Sequence, residues 1–325
     1  MQFSIGRCGT LVLATLLLAT PGTLLWAQSF PTKPVRMIVP FPPGGATDIS
    51  ARLVGAKMQE VWGQAVVIES RPGAGTMAGT DAVAKSAPDG YTMGFVVTAH
   101  VINPSLRPKM PYDTLKDLSG VTQVSQQQIV MAAYAGFAAN NIAELIALAK
   151  KGGAKIQYAT SGAGTALHLS AELLATTAGI QLEHVPYKGG AQAMQDVITG
   201  RVPIDMEIYY AAAPYIKSGK IKVLAMLSEK RTAFAKEYPT VTETVPGVSA
   251  VSLIGLVVPS ATPRDLVRRI SADIARAVKA SDLTDRMLSQ GMEPVGSTPE
   301  EFDAVIRTEI AKWAPVVKAS GATAD

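Results

Sequence analysis

Three stretches place glycines between an apolar run and an amphipathic one. They are Pro42-Pro43-Gly44-Gly45 with Asp48 just beyond, Thr160-Ser161-Gly162-Ala163-Gly164-Thr165 running on to His168, and Pro186-Tyr187-Lys188-Gly189. If the apolar run is a strand and the amphipathic one a helix, each stretch leaves a helix N-terminus bare. The free N–H groups there carry a partial positive charge of ~0.5 e. Glycines let a ligand approach the backbone and allow unusual dihedrals. Such an end captures phosphate, sulfate or carboxylate without a lysine. Ser161 and Thr165 add hydroxyls to the second stretch, and Lys188 adds a cation to the third. Taken singly, each is more often an ordinary strand-to-helix turn; three in one chain favour anion capture. None ends in Gly-Lys-Ser/Thr, and none has the third glycine of a dinucleotide fingerprint.

Other chemistry is less well marked. Ser161 with His168 would suit a serine hydrolase, but Ala159 stands where a nucleophile elbow needs glycine, so His168 reads as a packed or hydrogen-bonding helix residue. Asp205 and Glu207 alternate along one strand. They read as paired acids, as solvent-facing strand residues, or, for Glu207, as an acceptor for a ligand donor in a cleft. Tyr209 and Tyr210 follow and either line a pocket for a planar ligand or cover sheet surface. His100, His168 and His184 lack metal-ligand spacing. No metal and no cofactor is expected.

Strand and helix signals alternate along the chain, the pattern of a parallel sheet with helices on both faces. VRMIVPF, AVVIES and YTMGFVV read as strands with helices between them; the pattern restarts at IVMAAY after KDLSGVTQVSQQQ. Asn141 and Glu144 form a capping box. VPIDMEIYY, IKVLAMLS and VSLIGLVVP read as further strands. Thr262-Pro263 and Thr298-Pro299 then signal two helix starts. No low-complexity linker separates the units.

At 325 residues, two domains are expected. Charged residues are only 17% and the net charge is +4, without basic clusters, which argues against nucleic acid as a partner. Residues 1–27 read as a signal peptide: Arg7, an apolar run, a Pro21-Gly22 break, then cleavage after Ala27. Cys8, the only cysteine, lies within it, so the mature chain would carry no thiol chemistry.

A whole series of motifs resembles the Bug-type extracytoplasmic solute receptors of tripartite tricarboxylate transporters. In order they are KPVRMIVPFPPGGATDISARLV, ESRPGAGTMAGTDAVAKSAPDGYT, HVINPSL with PYDTLKDL, YATSGAGTALHLSAELL, HVPYKGGAQAMQDVITG, IKSGKIKVLAM, YPTVTE and EPVGSTPEEFDAVIRTEIAKWAPVVKASG. The resemblance implies a type II periplasmic-binding-protein fold: two α/β domains and two crossover strands around a ligand cleft. Residues 28–127 with 251–325 would form the first domain, and 128–250 the second. It implies that Pro42, Pro43, Gly44, Gly45 and Asp48 form one jaw of a carboxylate grip. Ser161, Gly162, Gly164 and Thr165 form the other, with His168 behind. Thr98, His100, Tyr187 and Lys188 match cleft-side positions. The family's Val-Asp and Phe-Asp-Asn pattern is replaced here by Val202-Pro203 and Met206-Glu207-Ile208, and its Trp-aromatic-Gly by Leu253-Ile254-Gly255. These changes bear on which acid is bound. The implied protein is a periplasmic monomer that closes on a small organic carboxylate, aromatic or dicarboxylic, and delivers it to membrane permease subunits. The alternatives are presentation to a sensor-kinase ectodomain and, remotely, a secreted serine hydrolase.

Overall fold

The computed structural model describes residues 1–2, 30–153 and 155–322; the expected signal peptide lies almost wholly outside them. One sheet of ten strands runs through these residues. Its first group is β1 (Val35–Val39), β2 (Val66–Ser70) and β3 (Thr92–Val97), mutually parallel in the order β2-β1-β3. Helices α1 (Ala46–Trp62), α2 (Met77–Ala84) and α3 (Ala99–Leu106) follow them in turn. The second group is β5 (Ile156–Thr160), β6 (Leu182–Pro186) and β7 (Ile204–Ile208), again parallel. Helix α4 (Ile142–Lys150) precedes it, and α5 (Ala166–Ala178), α6 (Gly190–Ile198) and α7 (Tyr209–Lys217) follow its strands. Strands buried on both faces read as continuous apolar runs, and VRMIV in β1 is one.

The groups are joined by β4 (Leu118–Tyr134), a 17-residue strand. Its first half pairs antiparallel with β9 (Val251–Pro259) and with the short β10 (Glu293–Pro294). Its second half pairs with β7 and with β8 (Ile221–Met226). Register shifts after Gly120, Gln123 and Met131 interrupt these ladders. Such bulges raise the local twist, which lets one strand serve two differently oriented sheets. The sequence reading started this strand only at Ile129. Its first half, LSGVTQVSQQQ, is too rich in Ser, Thr and Gln to look buried, yet Thr122, Ser125 and Gln128 are all enclosed.

Strand directions fix where the site must lie. β9 runs against both β3 and β4, so β4 runs with β1 and β3. β7 runs against β4, and β5 follows β7. The two groups therefore point their C-terminal ends at each other. The end of β3 reaches Ile254, which pairs with Ser125; the end of β7 reaches Ile129. Both sets of strand exits meet within a few residues along the middle of β4.

Helices α8 (Arg264–Val278), α9 (Ser281–Ser289) and α10 (Pro299–Ser320) complete the chain. The expected caps are partly corrected. Thr298 caps α10, with Glu301 completing a capping box, and Asn141 caps α4. At α8 the N-cap position falls on Pro263, and the Thr262 hydroxyl is buried without a partner. Tyr209 and Tyr210, read as the end of a strand, instead open α7. Helix α10 packs on α3, β4 and α5, so it touches both groups, and Trp313 at its inner face is fully buried. No helix among the described residues is long and apolar enough to cross a membrane.

Candidate functional site

The first glycine turn is held by Asp48. Its Oδ2 accepts the Gly44 N–H and the Arg52 guanidinium, both at 2.9 Å. The Arg52 hydrogen bond, seconded by the Gly44 amide, keeps this nearly buried carboxyl below its ordinary range. Asp48 thus folds the turn rather than presenting a free acid, while its Oδ1 stays unpartnered. Gly44 sits at φ +94, in the left-handed region. Gly45 is the N-cap of α1 and uses no side chain to close the helix end. Nothing lies within 4 Å of where a Cβ would stand on Gly44 or Gly45, so the mouth of α1 is uncrowded, although the Gly44 N–H itself is taken by Asp48.

The second turn is more heavily braced. Gly162 N–H donates to Thr160 Oγ1 at 3.1 Å, and Thr165 Oγ1 donates to Gly162 O at 2.8 Å. The same Thr165 oxygen caps α5 by accepting the His168 N–H. Thr165 was expected to offer its hydroxyl to a ligand; instead it is spent on the turn. Gly164 N–H donates to His168 Nδ1 at 3.0 Å. This fixes His168 as a neutral ring accepting at Nδ1, which removes it as a base for Ser161. Gly162 and Gly164 both hold positive φ, and a Cβ on Gly164 would also strike Leu106 of α3.

Behind this turn His168 stacks on His184, ring centroids 3.9 Å apart and 12° from parallel. Tyr158 stacks on His184 in turn, and its hydroxyl donates to Glu172. Thr160 Oγ1 lies 2.7 Å from His184 Nε2. Burial pushes both imidazoles down to about 4, and for His184 the neighbouring ring adds to the effect. Sequence reasoning left His184 as a bland polar group. The signal was its place two residues before the Pro186-Tyr187 turn, on a strand paired in register with β5.

The third turn opens α6. Gly189 is its N-cap, and no Cβ contact surrounds it. Tyr187 donates its hydroxyl to Asp196 at 2.7 Å and so ties the turn to its own helix. Lys188 is exposed. Glu207 comes from β7 to meet this helix end: a Cβ on Gly190 would collide with Glu207 Oε2. Its Oε1 accepts the Ile208 N–H at 2.8 Å. Burial raises the Glu207 pKa, partly offset by that amide. Asp205 lies deeper, fully enclosed, with neither oxygen partnered. Burial first, and the Glu207 charge second, hold it well above the ordinary carboxylate range. Neither acid is solvent-facing, as the simplest sequence reading had it.

Two expected cleft residues act from behind. Thr98 Oγ1 accepts the Leu253 N–H at 3.0 Å and stitches the exit of β3 to β9. His100 points inward, 1% exposed and stacked near Tyr112, with both ring nitrogens unpartnered. It gives a ligand no surface in this conformation. Pro42, Pro43 and Ser161 remain at the turns themselves, with Ser161 half-buried. The second and third turns touch: a Cβ on Gly162 would lie 3.7 Å from the Tyr187 carbonyl oxygen. The first turn stands across the β4 seam from them, as the strand directions require. No cluster of three metal-ligating side chains occurs among the described residues.

Glycine-opened helix ends converging from two strand groups on one seam define an α/β solute-binding protein. The chain belongs to a family described as the tripartite tricarboxylate transporter family receptor, whose profile matches residues 50–322. It is 34% identical over 299 residues to Protein BugT of Bordetella pertussis, covering 91% of this chain and 92% of that one. A Rhodopseudomonas palustris protein solved with adipate is similar at 31% identity and TM-score 0.77, covering 90% of this chain and 99% of its own. A second protein from that organism, solved with malate, is similar at 29% identity and TM-score 0.73, covering 89% of this chain and 100% of its own.

Proposed function

We propose that this chain is a periplasmic receptor that captures a small organic dicarboxylate and delivers it to a membrane permease. One observation carries the reading: the bare N-terminus of α1 faces those of α5 and α6 across the middle of β4. An anionic group between them meets backbone donors from both sides, with Ser161 the free hydroxyl and Lys188 the nearby cation. Adipate and malate in the two structural relatives are both dicarboxylates, which supports this ligand class. Residues 28–127 with 251–325 form one jaw body and 128–250 the other, with β4 and the 227–250 segment as hinge. Residues 1–27 direct export and are then cleaved off. The protein acts by binding, not catalysis, since His168 is engaged by Gly164 rather than by Ser161.

Calorimetry against a panel of mono-, di- and tricarboxylates tests this. Affinity in the submicromolar-to-micromolar range is expected, about −8 kcal/mol or somewhat stronger, with a dicarboxylate best. Absence of binding across the panel sinks the proposal.

A further inference from the structure

A second chamber lies apart from the three glycine turns. It has a volume of about 840 Å³, within the ~300–1,000 Å³ range of small-molecule sites. None of residues 42–48, 161–165 or 187–190 lines it. Its walls are Tyr209, Tyr210 and Pro214 from α7, Phe234 from the 227–250 segment, and Leu288 from α9. Seven large hydrophobic side chains are exposed among the described residues; Tyr210, Phe234 and Leu288 are three of them, and all three meet here. Apolar groups scattered singly need no explanation, but a cluster in a concavity marks a binding surface. The Tyr209 ring lies 5.5 Å from Phe234 and 6.1 Å from Tyr238, tilted against both, so the chamber already holds an aromatic wall.

Its charged lining is Glu237, Glu293 and Lys217. Glu293 Oε2 accepts the side-chain amides of Gln126 and Gln128, which leaves Oε1 for a ligand donor. Lys217, exposed in the last turn of α7, supplies a cation about two turns along the helix from Tyr209 and Tyr210. An apolar ring with a donor for the carboxylates and an anion for Lys217 matches this lining.

We infer that this chamber is a second ligand site, for a small aromatic carboxylate bearing a hydroxyl. It goes beyond the dicarboxylate reading and does not depend on it. The chamber is walled by α7 of the second group on one side and by α9 and β10 of the C-terminal segment on the other, with Tyr210 of α7 leaning directly on Gly291 beside β10. An occupant is therefore gripped by the same two bodies that the glycine turns span.

The probe is 4-hydroxybenzoate, titrated calorimetrically into the full protein and into Phe234→Ser, Leu288→Ser and Lys217→Met. All three side chains are exposed, so the variants fold, and melting curves check this. Saturable binding by the wild type is expected. Each serine variant should weaken it at least ~10-fold, and Lys217→Met should weaken it and flatten its salt dependence. Either of two results overturns the inference: no saturable binding by the wild type, or binding that both serine variants leave unchanged.

Discussion

Single side chains set two opposite pH dependences. His100, His168 and His184 are held near 4, below the ordinary imidazole value, so between about pH 6.5 and 4 the unfolded chain takes up protons that the folded one refuses. Their contribution to stability is intact above pH 6.5 and is lost as pH falls toward 4. His184→Gln keeps a group facing Thr160 but removes a titrating ring, and should flatten the melting temperature between pH 6.5 and 4. An unchanged slope would contradict the burial account. Asp205 works the other way. Its folded pKa is raised, so stability falls as pH rises through the window between its unfolded and folded values. Asp205→Asn should therefore melt higher than wild type, with the gap widening as pH rises above the ordinary aspartate range. At Gly45 the backbone is ordinary for any residue and no atom crowds a Cβ. Gly45→Ala should leave the melting temperature unchanged yet set a methyl over the mouth of α1. A loss of dicarboxylate affinity of ~10-fold or more, about 1.4 kcal/mol, is expected by calorimetry.

Elements decide how much of this was readable beforehand. The glycine turns were legible because the strand-to-helix transition, the positive-φ glycines and the caps are all local. Asn141 and Thr298 cap as their spacing implies. What stayed hidden was set by distant partners. The polar half of β4 becomes a strand because β9 pairs with it, and Tyr209 becomes helical because β7 ends at the seam. Thr165 looked like a ligand donor because nothing in a sequence shows that its hydroxyl closes its own turn. That turn is the place to test the element. Thr165→Ala removes the cap and should cost about 1 kcal/mol of stability, measured by denaturant melts, while Thr165→Ser should restore it.

At the scale of the molecule, α10 bridges the two strand groups. It packs on α3 and β4 and also touches α5, so the closure proposed above would have to slide α5 along it. Trp313 is the largest fully buried side chain on that helix, and its indole donates to Glu309 at 2.8 Å. Trp313→Ala should cost about 3–5 kcal/mol by denaturant melting. Closure itself predicts a smaller radius of gyration by solution scattering once a dicarboxylate saturates the cleft. An unchanged radius would mean that binding occurs without hinge motion.

The long strand β4 also has a consequence for the order of events during synthesis. Every strand that pairs with it, β7, β8, β9 and β10, comes later in the chain, and β10 follows it by well over a hundred residues. A growing polypeptide can close the second half of its longest strand once β8 has been made, but must hold the first half open until β9 and β10 follow. Contacts this distant close slowly. If the chain is exported as proposed, that delay works in its favour: half of its central strand cannot pair, and the chain stays threadable there, until the C-terminal strands have been made.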